Sequence, residues 1–259
     1  MRLKDKTAII TGGASGFGQG IAERFAQEGA STVIADLNLE RAKAVADAIN
    51  KTGGQTGSQT DCKAIAVECD VTSNSSVRAM VAQTIETFGS LDCLVNNAGM
   101  PQINQPMLEV DEDTFDKIFS TNVKSIYLTA LHAIPAMPET GGTIINTAST
   151  AALRPRPGLT WYNGSKGAVT TLTKSMAVEL APKNIRVNAL CPVAGNTPML
   201  GAFMGGEVTP DMEEKFRATV PLGRLSTPQD MATAALFFAS DEACFMTGVC
   251  LEVDGGRCI

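Results

Sequence analysis

A glycine-rich turn between an apolar strand and a helix, followed by strict alternation of the two element types, most narrows what this chain can fold into. Thr7-Ala-Ile-Ile-Thr11 is short and apolar, and Gly12-Gly13-Ala14-Ser15-Gly16-Phe17-Gly18 follows it directly. Ile21 to Glu28 then reads as helix and stops at Gly29. Ser31–Ala35 is a second strand closed by Asp36, and Leu39–Asn50 a second, Ala-rich helix. Strands at Ala64–Val67 and Leu91–Val95 flank a helix over Ser76–Phe88. One long helix is expected from Asp113 to Ile134, stopped by Pro135. A strand at Thr143–Asn146, a helix over Trp161–Leu180 and a strand at Ile185–Leu190 come next. A helix over Pro228–Ser240, with proline suited to its first turn, and a strand over Gly248–Val253 complete the pattern. Parallel strands need crossovers long enough for a helix, so this alternation predicts a parallel sheet covered on both faces. Right-handed crossovers make it doubly wound. The expected class is α/β, one domain over residues 1–259 with about seven strands and helices on both faces.

Two stretches break the rhythm. Lys51–Lys63 is polar and Gly-rich and reads as an exposed loop. Pro192–Leu225 is longer and mixes apolar residues with Gly and Pro, as a functional excursion would. The chain of 259 residues, 44% hydrophobic and 19% charged, is long enough to bury a core without staples. Its net charge of -6 argues against a nucleic-acid partner, which would need basic surface. There is no polybasic segment for a membrane surface and no run of ~18 apolar residues to span one. With no signal-peptide pattern at the start, a cytoplasmic location is expected. Seven cysteines without a C-x-x-C pair, and a single histidine, His132, predict no metal site. The cysteines are expected reduced, with Cys258 the most exposed. Met107, Met137 and Met176 are expected in the core and His132 in a structural role.

The glycines at 12, 16 and 18 allow a tight turn and close approach of a diphosphate to the following helix N-terminus. This makes the expected fold Rossmann-like and dinucleotide-binding. Asp36 lies 18 residues beyond Gly18, where a carboxylate can accept from both hydroxyls of an adenosine ribose and repel a 2′-phosphate. Ser15 and Leu37 stand where a base would answer that phosphate. NAD is therefore expected over NADP. Tyr162 and Lys166 are four residues apart, on one helix face, and a cation near a phenol favours the phenolate. Ser149, at the end of the fifth strand, and Asn96-Asn97-Ala98-Gly99, at the end of the fourth, should meet Gly12 and Asp36 in one crevice, because parallel strands end on one side.

Taken together, Thr11-Gly12-x-x-x-Gly16-x-Gly18, Asp70-Val71, Asn96-Asn97-Ala98-Gly99, Asn122, Ser149 and Tyr162-x-x-x-Lys166 resemble the motif series of the short-chain dehydrogenase/reductase family, in order and over nearly the whole chain. The resemblance implies hydride exchange between NAD and an alcohol or ketone. By it Tyr162 exchanges the substrate proton, and Lys166 lowers the phenol pKa and binds the nicotinamide ribose. Ser149 bonds the substrate oxygen, and Asn122 holds a water in a proton relay. Asp70 bonds the adenine with Val71 beside it, and Asn96 braces the central strands near the cofactor. Ser15, Phe17, Leu37, Ala98, Gly99 and Pro192 would add cofactor contacts, and Thr197 would meet the carboxamide. Val193 departs from the family's usual Pro-Gly at that point. The family is commonly tetrameric or dimeric, so a homotetramer or homodimer is expected, with helices near Gly164, Gly167 and Ala168 approaching closely.

Residues 192–225 are expected to form a substrate lid. Met199, Leu200, Phe203 and Met204 would give it an apolar face, with Leu159 and Trp161 as a second wall. The other use of these side chains is a subunit contact. A neutral, hydrophobic or cyclic secondary alcohol or ketone is the expected small-molecule substrate. Sugars or polyols and 3-oxoacyl thioesters are the alternatives within the family. An epimerase or dehydratase, or a non-catalytic nucleotide-binding protein on the same fold, stand outside that reading.

Overall fold

The computed structural model describes residues 1–53, 63–203 and 209–259. Seven strands pair in parallel: β1 (Thr7–Thr11), β2 (Ser31–Asp36), β3 (Ala64–Glu68), β4 (Cys93–Asn96), β5 (Gly142–Thr147), β6 (Ile185–Pro192) and β7 (Cys250–Val253). They form one sheet in the order β3-β2-β1-β4-β5-β6-β7. From β1 the chain builds outward through β2 and β3, then returns to place β4 on the other side of β1. That reversal opens a crevice at the carboxyl ends of β1 and β4.

The sheet is buried on both faces, and its strands show why. Ile10, Ile34, Val95 and Ile145 enter one core cluster, with Ile21 and Phe25 from α1 (Gly16–Gln27) and Leu236 and Phe238 from α9 (Pro228–Ala239). Their chain neighbours Ile9, Val33, Leu94 and Ile144 enter the opposite cluster. Val77 and Met80 from α3 (Asn74–Phe88), Leu128 from α5 (Ser125–Ala133) and Ala177 from α6 (Thr160–Leu180) join them there. Successive side chains on a strand point to opposite faces, so an unbroken apolar run serves two cores. A polar line crosses the second face. Asn96 Nδ2 donates to Asn146 Oδ1 at 2.9 Å, Asn146 Nδ2 to Thr173 Oγ1 at 2.9 Å, and Thr129 Oγ1 to Asn96 Oδ1 at 2.9 Å.

Several elements differ from the sequence expectation. The single helix expected over Asp113–Ile134 is α4 (Glu112–Phe119), a π turn over Ser120–Lys124, and α5. Asp111 starts α4 by accepting from Thr114 N at 2.6 Å. Periodicity alone does not reveal a π turn, because one inserted residue barely disturbs it. Helix α1 begins at Gly16, since weak helix formers hid its first turn. Helix α2 (Leu39–Gly53) takes up the start of the expected 51–63 loop, and residues 54–62, with Cys62, lie outside the described residues. Among the described residues Cys244, not Cys258, is the exposed cysteine. Met107 is exposed rather than in the core, whereas Met137 is buried. His132 shares a 2.7 Å hydrogen bond with Asn74 Oδ1. No helix among the described residues is long and apolar enough to cross a membrane.

Helices α1 and α9 touch through Gly20. A Cβ there would lie 2.7 Å from Pro228 Cβ and 2.9 Å from the Pro228 carbonyl oxygen. Gly20→Ala should therefore cost about 1–3 kcal/mol of stability, as overpacking does. A urea titration reads this as a lower midpoint at unchanged slope. An unchanged midpoint would mean that the two helices can part without cost.

Candidate active site

The crevice wall begins at the turn after β1. Gly12 and Gly16 both have positive φ, +62° and +55°, and a Cβ on Gly18 would fall 2.2 Å from the Gly12 oxygen. Ser15 precedes α1 but makes no side-chain cap bond, so the first N–H groups of that helix need another acceptor. Ser15, Gly16 and Phe17 line the cleft, as do Asp36 and Leu37 from the end of β2. The Asp36 carboxylate accepts from Ala14 N at 3.1 Å and Asn38 N at 3.0 Å, which ties β2 to the turn. No basic side chain stands with them on that part of the wall among the described residues.

The end of β4 is fastened to the same turn. Asn97 Nδ2 donates to the oxygens of Thr11 and Gly12 at 3.0 and 3.1 Å. Asn97, Ala98 and Gly99 line the cleft, whereas Asn96 belongs to the buried polar line and does not reach it. At the end of β3, Cys69 and Val71 line the cleft and Asp70 does not. One Asp70 oxygen takes both the Thr72 N–H and hydroxyl, at 2.8 and 2.7 Å. Asn122 also stays off the wall. Its Oδ1 accepts from Met100 N at 2.7 Å, and its Nδ2 donates to Met100 O and Ser165 Oγ at 3.0 Å each. Three of its four hydrogen-bonding positions thus go to protein. From within the π turn it clamps the segment after β4 against α6.

Ser149, Tyr162 and Lys166 do come together at the end of β5. Lys166 Nζ is buried and donates to Thr147 O at 2.7 Å. Burial lowers its pKa to about 8. The Tyr162 phenol is pushed up to about 12 by burial, while the Ser149 hydroxyl and the Arg156 charge pull it back. Lys166 Nζ lies 5.9 Å from the Tyr162 ring centroid. Desolvation thus outweighs both the Ser149 hydrogen bond and the Arg156 charge at this phenol.

Gln102, which the sequence did not single out, sets where α6 starts. Its side chain is fully buried, and its Oε1 accepts from Trp161 N at 3.1 Å and Tyr162 N at 3.0 Å. Leu159, the residue at the cap position, cannot do this.

The expected lid is described in part. Val193 stays with the sheet, its N–H directed at Val253 O, and Gly195 pairs with Ser226. The loop then brings Thr197 against Gly16, so the Val193 departure does not remove Thr197 from the cleft. Pro192, Met199 and Phe203 line it, and the Phe203 ring meets Tyr162 edge-on at 5.1 Å. Leu200 is buried away from the cleft, and Met204 lies outside the described residues. Leu159 forms a wall as expected, but Trp161 turns away to Phe115, 5.4 Å between centroids, and donates to Met107 O. The wall also holds Arg154, Arg156, Arg257 and Phe216, none of which the motif series marks.

With this geometry in view, a family model described as enoyl-(acyl carrier protein) reductase matches residues 12–257. The 4-formylbenzenesulfonate dehydrogenase of Comamonas testosteroni is 47% identical over 258 residues, 99% of both chains. The chain belongs to the short-chain dehydrogenase/reductase family. It is an oxidoreductase of that family. Another family relative, a 2,5-dichloro-2,5-cyclohexadiene-1,4-diol dehydrogenase of Sphingobium indicum, is 40% identical and aligns over 98% of this chain and 97% of its own. Among solved family structures, a 3-ketoacyl-(acyl-carrier-protein) reductase from Brucella melitensis complexed with NADH superposes with a TM-score of 0.90. It is 44% identical and covers 99% of this chain and 100% of its own.

Replacing Gln102 tests the cap. Gln102→Ala leaves the N–H groups of Trp161 and Tyr162 without their acceptor and should cost about 1–3 kcal/mol of stability. Turnover should fall while KM for the nicotinamide cofactor holds, because the glycine turn is untouched. A loss confined to cofactor KM would contradict the assigned role.

Proposed function

We propose that the chain is an NAD-dependent dehydrogenase that interconverts a ring-bearing secondary alcohol and its ketone, with Tyr162 as general acid and base. The observation that carries this is the meeting, in one cleft, of the glycine turn, Asp36 and the buried Ser149, Tyr162 and Lys166. The residues present fit a dinucleotide. The α1 N-terminus offers uncapped N–H groups beside glycines that leave no room for a Cβ. Gly12, Ser15, Gly16, Phe17 and Gly18 would hold the diphosphate, and Asp36 the adenosine ribose hydroxyls. Val71, Ala98, Gly99, Pro192 and Thr197 would flank the rest, with Asp70 shaping the turn after β3 that carries Val71. NAD bound there accepts or returns a hydride.

The chain's own part is to hold the substrate and move a proton. Ser149 Oγ bonds the substrate oxygen. In oxidation Tyr162 Oη takes the hydroxyl proton as the carbinol C–H bond breaks, and in reduction it gives that proton to the carbonyl oxygen. Lys166, protonated at neutral pH, reaches the nicotinamide ribose and supports the developing phenolate. Asn122, committed to Met100 and Ser165, acts as a positioning residue rather than through a side-chain water relay.

Ring substrates are favoured because Leu159, Met199 and Phe203 line the cleft near Tyr162. Two relatives carry rings in their substrate names, 4-formylbenzenesulfonate and 2,5-dichloro-2,5-cyclohexadiene-1,4-diol. The Brucella neighbour's name favours a second reading, a 3-oxoacyl thioester reductase. Residues 192–225 are read as the lid over the substrate end of a single domain. Tyr127, Leu131 and Val178 are exposed on α5 and α6, which supports helix pairing in a homodimer or homotetramer.

Absorbance of the reduced nicotinamide decides the reaction. Cyclic secondary alcohols should be oxidised with NAD at higher kcat/KM than ribitol or glucose, and their ketones reduced in preference to acetoacetyl thioesters. A clear preference for polyols or thioesters would overturn the ring reading. NAD should be preferred to NADP, and Asp36→Ala combined with Leu37→Arg should shift the preference toward NADP. Equal use of both cofactors by the wild type would contradict the role given to Asp36.

A further inference from the structure

The stretch that joins Ser149 to Tyr162 carries arginines that the proposed proton transfer does not use. It contains Arg154-Pro155-Arg156-Pro157-Gly158, and each proline fixes φ beside Arg156. Side chains pin its backbone. Asn163 Nδ2 donates to Arg156 O at 2.9 Å, Asn104 Nδ2 to Pro157 O at 3.0 Å, and Gln102 Nε2 to Gly158 O at 3.0 Å. Arg156 is therefore held at the cleft wall in advance, close enough to Tyr162 for their charges to interact.

Its guanidinium meets no acceptor among the described residues. Among the described residues it makes no ion pair and donates no hydrogen bond. It lies over the Phe216 ring of α8 (Pro210–Arg217), 4.8 Å from the centroid. Burial and the neighbouring Arg257 charge both push its pKa down. None of its nitrogens is among the buried unpaired side-chain atoms, so its five donors open to the cleft, where an anion could take them.

Arg257 is kept on the same wall by Arg154, whose Nη1 donates to the Arg257 oxygen at 2.5 Å and toward Ile259 O at 3.5 Å. Among the described residues the one carboxylate on the cleft wall is Asp36, three strands away along the sheet and bonded to its own turn. A chain of net charge -6 thus concentrates positive charge beside Tyr162. A neutral substrate, as the sequence suggested, would leave that charge unanswered.

We infer that the substrate carries an oxyanion, a carboxylate or a sulfonate, received by Arg156 and backed by Arg257, with its ring against Phe216 and its reacting carbon at Ser149 and Tyr162. Planar guanidinium donors match such an anion two at a time. The inference rests on the dehydrogenase reading, so its test includes a binding measurement that needs no turnover.

Benzenesulfonate and its neutral isostere benzenesulfonamide are titrated calorimetrically into the full-length protein loaded with NADH. The sulfonate should bind at least about tenfold more tightly, the scale of a charge-assisted hydrogen bond. Arg156→Gln should abolish that preference, Arg156→Lys should keep part of it, and Arg257→Gln should reduce it. Equal binding of the two probes, or an unchanged preference in Arg156→Gln, overturns the inference. In the rate assay, 4-hydroxycyclohexanecarboxylate should exceed its methyl ester in kcat/KM, chiefly through KM. Turnover of both with no preference for the acid would overturn the anion site and leave the dehydrogenase reading standing. A sulfonate preference without oxidation of either alcohol would do the reverse. Faster turnover of a 3-oxoacyl thioester on acyl carrier protein, with Arg156→Gln raising that KM, would also overturn it in favour of a carrier-protein contact.

Discussion

Lys166 places an amine beneath the end of β5, buried, with the Thr147 carbonyl 2.7 Å from its nitrogen. Much of the site exists to make that position tenable. A buried ammonium is costly without partners, and burial already draws this one down to about 8. Helix α6 must therefore be fixed in register against β5, and three devices do so. Gln102 caps the helix start at Trp161 and Tyr162. Asn122 holds Ser165. Further along, Thr173 bonds Asn146, and through it Asn96. Each device rests on an amide side chain, Gln102, Asn122 or Asn146, that satisfies more than one group at once, which suits places where one missing partner would be costly.

The sheet was legible because its strands obey a simple rule. Runs such as Ile9-Ile10 and Ile144-Ile145 are apolar at both successive positions, and only strands covered on two faces need that. That Ser149 and the residues after Gly12 and Asn96 share one cleft was legible too, because parallel strands deliver them to one edge. What escaped was residue-by-residue orientation. Asn96 and Asn97 are adjacent on a strand end, so one enters the buried polar line and the other faces the cleft. Trp161 and Tyr162 are adjacent on a helix, about 100° apart, so the indole goes to Phe115 while the phenol meets Phe203. Gln102 carries no local signal, because its partners lie 56 to 60 residues away.

The arginines illustrate a different limit. In sequence, Arg154 and Arg156 sit among prolines and glycine and resemble solvated loop residues. Their meaning depends on three elements distant in the chain: the segment after β5, α8 with Phe216, and the C-terminal turn with Arg257. Apolar residues of the 192–225 segment suggested a hydrophobic substrate, and Met199 and Phe203 do line the cleft. The same cleft also carries Arg154, Arg156 and Arg257, with Arg156 over Phe216 of that very segment.

Tyr162 carries the central claim. Its phenol is held neutral by burial, with a pKa pushed to about 12, so the protein alone favours the acid form at neutral pH. The most direct measurement is the pH dependence of kcat in both directions, for the wild type and Tyr162→Phe, with the same alcohol and ketone. Oxidation needs the phenolate, so its rate should climb as pH rises toward the phenol pKa. Reduction needs the phenol and should decline over the same range. Tyr162→Phe should lose at least ~10²-fold in both directions, the scale of a general acid–base group. A Tyr162→Phe enzyme that kept most of its rate, or wild-type profiles that rose together in both directions, would contradict the account.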